Sequence, residues 1–198
     1  MYWDAYEHKR NIARTLRRLD RRLSSGRLEP GDEALVVIEQ AVFWIAFVLR
    51  KLADSHKLSD EVEIRNWELG THQKLPAAPP VDYLNCHRVD ELYDLERSIS
   101  CRMALRRICD LLVHSFVFLP LMTEDNSRLL GIYFNSDRTK DRSLYFLAWD
   151  EVREIVETVR SDDIVYMSLD RTTGRLVKSC TAPDHPLVDL RGQERATP

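Results

Sequence analysis

Glycine is scarce, six in 198 residues, and forms neither a P-loop nor a GxGxxG stretch, so a phosphate-cradling nucleotide loop is not expected. The four cysteines, Cys86, Cys101, Cys109 and Cys180, show no CxxC spacing, which argues against a disulfide framework and against the two close pairs of a structural zinc site. No metal and no cofactor are expected. The longest apolar run, Ala41 to Leu49, is nine residues, about half of the ~20 needed to cross a bilayer. No membrane association is therefore expected, and without a signal peptide a reducing cytoplasm is the expected setting. Neither sign of charge dominates: the net charge is −3 and the pI about 6.1, so any surface for nucleic acid has to be local. Internal repeats and low-complexity tracts are absent as well.

What remains is a chain of 44% hydrophobic residues, long enough to bury a core as one domain or as a helical domain with a small appendage. Residues 2 to 24 carry Ile12, Leu16, Leu19 and Leu23 at helical spacing, the stripe of an amphipathic helix. Opposite it stand Arg10, Arg14, Arg17 and Arg21, flanked by Arg18 and Arg22. Residues 1 to 27 hold eight Lys/Arg and three Asp/Glu. Cations at one-turn spacing can follow a phosphate backbone, and these four arginines are the candidate nucleic-acid-binding residues. They can equally pair with acidic residues elsewhere in a chain whose remainder is acidic.

"SSGRLEPGD" ends that helix, and the segment of about 33 to 55 is apolar almost all round, as expected of a buried central helix. A short helix over 59 to 66, a Pro-rich crossing loop "LGTHQKLPAAPP", a helix around 86 to 97 and a helix "SCRMALRRICDLLVHSF" capped by Ser100 complete the helical part. From Phe116 the composition turns β-branched and aromatic: "FVFLPLM", "RLLGIYFNSD" and "SLYFLAW" predict an antiparallel meander with "NSDRTKD" as a hairpin turn. A helix after Asp150 and two strands around a Thr-Gly turn follow. The expected fold is α+β: a bundle of four or five helices over 1–118, a small antiparallel sheet with one helix packed on it over 119–180, and a flexible tail over 181–198.

Within "LRRICDLLVHSFVF", Arg107, Asp110 and His114 fall within roughly 60° of one another at ~100° per residue. A carboxylate one turn before an imidazole can orient it, the imidazole can move a proton to or from a ribose 2′-hydroxyl, and an arginine can stabilise charge building on phosphorus. These three are the candidate catalytic residues. The same trio at i, i+3 and i+7 is also what any solvated helix face supplies.

"RICDLLVH" resembles the Arg, four to six residues, His motif of the HEPN helical-bundle proteins, with Arg107 and His114 in the matching positions. The resemblance implies a bundle of four or five helices and a homodimer whose paired Arg and His residues share a groove that cleaves RNA without a metal. His114 would then be the proton-transfer residue and Arg107 the phosphate binder, in a bacterial stress or defence setting. "ICDLLVHS" is also similar to helix ends of uncharacterised bacterial bundle proteins that continue into a hairpin, a likeness that implies no activity. The competing expectation is a non-catalytic interaction or structural module that meets a protein partner through its sheet edge and basic first helix. The aromatic strands "GIYF" and "LYFLAW" fit such an edge as well as a base-stacking platform.

Overall fold

The computed structural model describes residues 4–25, 32–125, 127–173 and 176–181. Among these residues six helices and seven strands run in the order α1 (Ala5–Ser24), α2 (Asp32–Asp54), α3 (Asp60–Ile64), β1 (Asn66–Gln73), α4 (Val89–Leu92), β2 (Ile99–Ala104), α5 (Leu105–Val113), β3 (Ser115–Met122), β4 (Leu129–Ser136), β5 (Ser143–Ala148), α6 (Trp149–Ser161), β6 (Ile164–Leu169) and β7 (Leu176–Thr181). The first five strands form one antiparallel sheet in the order β2-β1-β5-β4-β3, and β6 and β7 pair as a separate hairpin.

Helix and strand do mix as α+β, but a helical bundle followed by a small sheet is not what forms. Two of the five sheet strands come from the part expected to be helical. "NWELGTHQ" is β1, with Trp67, Leu69 and Thr71 buried on alternate positions, the period of two that a pleated strand imposes. The proline-rich stretch begins only after it. The residues expected to open the long helix at Ser100 form β2 instead, paired with β1 in the register Leu69↔Cys101 and Trp67↔Met103. The helix expected over 86–97 shrinks to the four residues Val89–Leu92.

Alternation divides the sheet into two unlike faces. On one, Trp67, Leu69, Ile132, Phe134 and Leu147 join buried residues of α1, α2, α5 and α6 in one core that takes residues from both sides of position 118. On the other, Val117 and Leu144 are covered by Val81, Val89, Leu92 and Tyr93 from the 74–98 segment. The covering helices pack in a row: α5 on α2, α2 on α1, α1 on α6. β2 runs straight into α5 and β5 straight into α6, each through an extended alanine, Ala104 and Ala148, with no side-chain cap.

The outer helix is fixed by a directed contact. Asp20 of α1 accepts from the Trp149 indole (2.8 Å) and from Arg153 Nε and Nη2 (3.1 and 3.0 Å) on α6. This clamp ties Asp20 to α6 and fixes the rotation of α1. In the sheet, Gly131 lies under the Phe146 ring, and a Cβ there would also sit 2.7 Å from the Leu147 carbonyl oxygen. Gly131→Ala is expected to destabilise the chain by about 2 kcal/mol through overpacking, read as a lower urea midpoint with unchanged m-value.

"NSDRTKD" is the turn between β4 and β5, closed by Thr139 N–H and Lys140 N–H donating to the Ser136 carbonyl (2.9 Å each). The tail expected over 181–198 lies, apart from Thr181, outside the described residues, as does the glycine of the expected Thr-Gly turn. Among the described residues no helix is long and apolar enough to cross a membrane.

Candidate functional site

α5 presents Leu105, Ile108, Leu111 and Leu112 to the core, all at most 5% exposed. This leaves Arg106, Arg107 and Asp110 at its outer side, with His114 as the C-cap at φ −108°, ψ 30°. The polar stripe foreseen in the sequence exists, but a residue of another helix organises it. Arg50 of α2 reaches across: its Nε lies 3.1 Å from Asp110 Oδ1 and its Nη1 lies 3.3 Å from His114 Nε2. Arg50 also stands 3.7 Å from Asp54 Oδ2, and Asp54 Oδ1 is 3.1 Å from Arg106 Nη2. Two arginines and two aspartates thus alternate across the α2–α5 seam, and the charges cancel within the cluster.

This arrangement decides which proton-transfer geometry is open to His114. Arginine offers only donors, so the contact with Arg50 uses the Nε2 lone pair, the same lone pair that would take a proton from a hydroxyl. Asp110 meets Arg50 and, through its backbone carbonyl, the His114 N–H (3.1 Å). Arg107 is exposed and, among the described residues, has no ion pair. The structure therefore brings Asp110 and His114 together on Arg50 and leaves Arg107 outside the network.

Arg50 and Asp54 were not singled out in the sequence. Their i, i+4 spacing at the end of an otherwise apolar helix is a legible signal of an ion pair. Their partners on α5 are set by helix packing, which has no signature in the chain.

The basic face of α1 has the opposite character. Arg14, Arg17, Arg18 and Arg21 are exposed and Arg22 is partly so. Arg10 pairs with Glu7 at 3.0 Å, whereas no described carboxylate lies within 4.0 Å of the other five. Arg21 Nε donates to the Arg17 carbonyl (3.3 Å), which holds its guanidinium along the helix. Two open grooves run beside these residues, one of about 640 Å³ along Arg14, Arg17, Arg18 and Arg21 with Asp20 at its wall, and one of about 560 Å³ along Arg18, Arg21, Arg22, Ser24 and Ser25. The stripe and the His114 cluster do not merge into one groove: α2 lies between α1 and α5 in the helix row.

Cys86, Cys101 and Cys109 are free thiols, and complete burial pushes the Cys109 thiol up to about 12, so Cys109 is an apolar filler of the core. Among the described residues no group of three or more His, Cys, Asp or Glu side chains could hold a metal.

One perturbed carboxyl lies nearby. Burial is the main cause that raises the Glu63 carboxyl above its ordinary 4.5, with His56 pulling the other way. Between 4.5 and that raised value the folded chain holds a proton the unfolded chain has released, so stability falls as pH rises through the window. Glu63→Gln removes this term. The variant is expected to gain stability over the parent at pH 7, with the gain vanishing below about pH 4.5, in paired urea titrations at the two pH values.

Comparison of the chain with protein-family models, curated proteins and solved structures returned no match.

Proposed function

We propose that this chain binds RNA along α1, neutralising backbone phosphates without reading sequence. One observation carries the reading: Arg14, Arg17, Arg18, Arg21 and Arg22 crowd one exposed helix face with no described carboxylate within 4.0 Å, in a chain whose net charge is −3. Like charges at this spacing repel, and a polyanion relieves that repulsion while releasing counterions. The cluster between α2 and α5 supports a structural role instead, because Arg50 and Arg106 are already neutralised by Asp54 and Asp110, with Arg107 outside it. RNA cleavage at His114 is therefore left out of the proposal.

The test joins binding to cleavage. Labelled single-stranded RNA is titrated with the full chain from 50 to 200 mM salt, in chelator, and the RNA is then inspected for cutting. Five phosphate contacts imply a log–log salt slope near −3.5 and about a 100-fold loss of affinity over that range. Intact RNA and equal binding by His114→Ala are expected. Cutting by the parent chain but not by His114→Ala would restore the catalytic role of the α5 stripe, and salt-independent binding would remove the electrostatic one.

A second reading, a protein-interaction module, is favoured by α2. Leu35, Val36, Trp44 and Phe47 of this helix are 41% to 53% exposed, and the Trp44 and Phe47 rings stack with centroids 6.3 Å apart. Aromatic exposure of this kind is typical of interface cores. Light scattering on the parent chain and on Phe47→Glu tests self-association through this face.

A further inference from the structure

The exposed stripe of α1 begins one turn before its first arginine. Tyr6, Arg10, Arg14, Arg17 and Arg21 follow one another at helical spacing, within roughly 80° at ~100° per residue. Tyr6 is the only Phe, Tyr or Trp of α1, and it is 64% exposed. A formed helix end sets its place, since Tyr6 N–H donates to Asp4 Oδ1 at 3.0 Å. The Arg10 guanidinium lies over the ring, 5.3 Å from its centroid, a contact that steadies the ring and covers one face of it. A cleft of about 470 Å³ opens beside Tyr6, between the start of α1, the end of α6 and β6. Its charges cancel: Asp4, Asp162 and Asp163 stand against Lys9, Lys57 and Arg160. Lys9 is held by Asp162 at 3.3 Å and Arg160 by Glu157 at 2.8 Å, so a phosphate gains little from this wall. Tyr6, Ile164 and Met167 supply its apolar side, with Met167 44% exposed. The basic stripe and this neutral cleft meet at Tyr6.

We propose that Tyr6 is a base-stacking residue, so that the RNA held by the arginines of α1 is a single strand with one unpaired base laid on the Tyr6 ring. The inference rests on phosphate binding by α1 and adds to it the class of nucleic acid. A duplex keeps its bases inside the stack, out of reach of a ring on a helix surface, whereas the unstacked bases of a single strand offer their π faces to aromatic side chains. The two parts of the surface then divide the nucleotide between them. Charge belongs with the arginines, and the flat, uncharged base belongs with the ring and the neutral cleft beside it. Stacking accepts any base, in keeping with phosphate contacts that carry no sequence information.

The full chain, Tyr6→Ala and Tyr6→Phe are titrated by fluorescence anisotropy with a labelled single-stranded RNA, with an abasic ribose-phosphate strand of the same length and charge, and with a long RNA duplex. The parent is expected to bind the RNA strand about tenfold tighter than the abasic strand, the effect of one stacked base. Tyr6→Ala is expected to lose about that tenfold on the RNA strand alone, with its salt slope and its affinity for the abasic strand and the duplex unchanged. Tyr6→Phe keeps the ring and is expected to bind as the parent does. The side chain is exposed and alanine is the better helix former, so Tyr6→Ala is expected to keep the parent's thermal midpoint. Equal affinity of the parent for the RNA and abasic strands, unchanged affinity in Tyr6→Ala, or an equal loss on all three ligands would overturn the inference while leaving phosphate binding by α1 in place. Binding of none of the three by the parent would overturn both.

Discussion

Exchanging Arg14, Arg18, Arg21 and Arg22 together for glutamine is expected to lower RNA affinity by about 100-fold at 200 mM salt and by about 4,000-fold at 50 mM. The figures follow from counterion release: each phosphate contact contributes about 0.7 to the log–log salt slope on a single strand, so four lost contacts remove about 2.8. The slope change distinguishes this from a general loss of structure. Glutamine has nearly the helix propensity of arginine, and the buried stripe Ile12, Leu16, Leu19 and Leu23 and the Asp20 clamp on Trp149 and Arg153 remain. Thermal stability is accordingly expected to change little, or to rise slightly as like charges leave the face. Unchanged affinity in the variant, measured by fluorescence anisotropy at both salt concentrations, would place the binding surface elsewhere.

Lys9→Met is expected to destabilise the chain by about 3 kcal/mol, and Lys9→Met combined with Asp162→Leu by clearly less. Lys9 and Asp162 form a buried pair, with side chains only 7% and 1% exposed and Nζ 3.3 Å from Oδ2. Lys9 also donates to the Asp162 carbonyl, and Asp162 Oδ2 accepts from Ser59 N–H at 3.0 Å just before α3. Removing the lysine leaves a buried carboxylate without its counterion, whereas replacing both members removes the charge that must be compensated. In a domain of this size ~3 kcal/mol corresponds to a drop of about 6–12 °C in Tm. Calorimetry on the two variants checks the sign: equal losses in both would mean the pair acts through packing alone. RNA binding is expected to be unaffected, since Lys9 points into the fold.

The helices α1, α2 and α6 were legible because each carries one unbroken apolar pattern, and the core residues Ile12, Leu16, Leu19 and Leu23 fall where that pattern puts them. The sheet was half legible. β3, β4 and β5 announce themselves by alternation and by a polar turn. β1 does not: Gly70 interrupts its alternation, buried His72 follows a buried Thr71, and the prolines after Lys74 colour the whole stretch as loop. β2 is ambiguous in isolation, since Cys101, Ala104, Leu105 and Ile108 also satisfy a helical period. Pairing with β1 decides it, a tertiary choice that overrides a weak local preference. The candidate site divides the same way. The arginine face of α1 needs only one helix and could be read from spacing. The contacts of Arg50 with Asp110 and His114 require knowing which helix lies beside α5.

The most direct measurement is the map of where RNA touches the protein. Photoreactive single-stranded RNA is cross-linked to the full chain, and the modified peptides are identified by mass spectrometry. Cross-links centred on peptides of residues 5 to 25, and lost when the four arginines are exchanged, are the result expected of a phosphate-binding α1. Cross-links centred on Arg107 and His114 across the α2–α5 seam, with α1 unmodified, would contradict it.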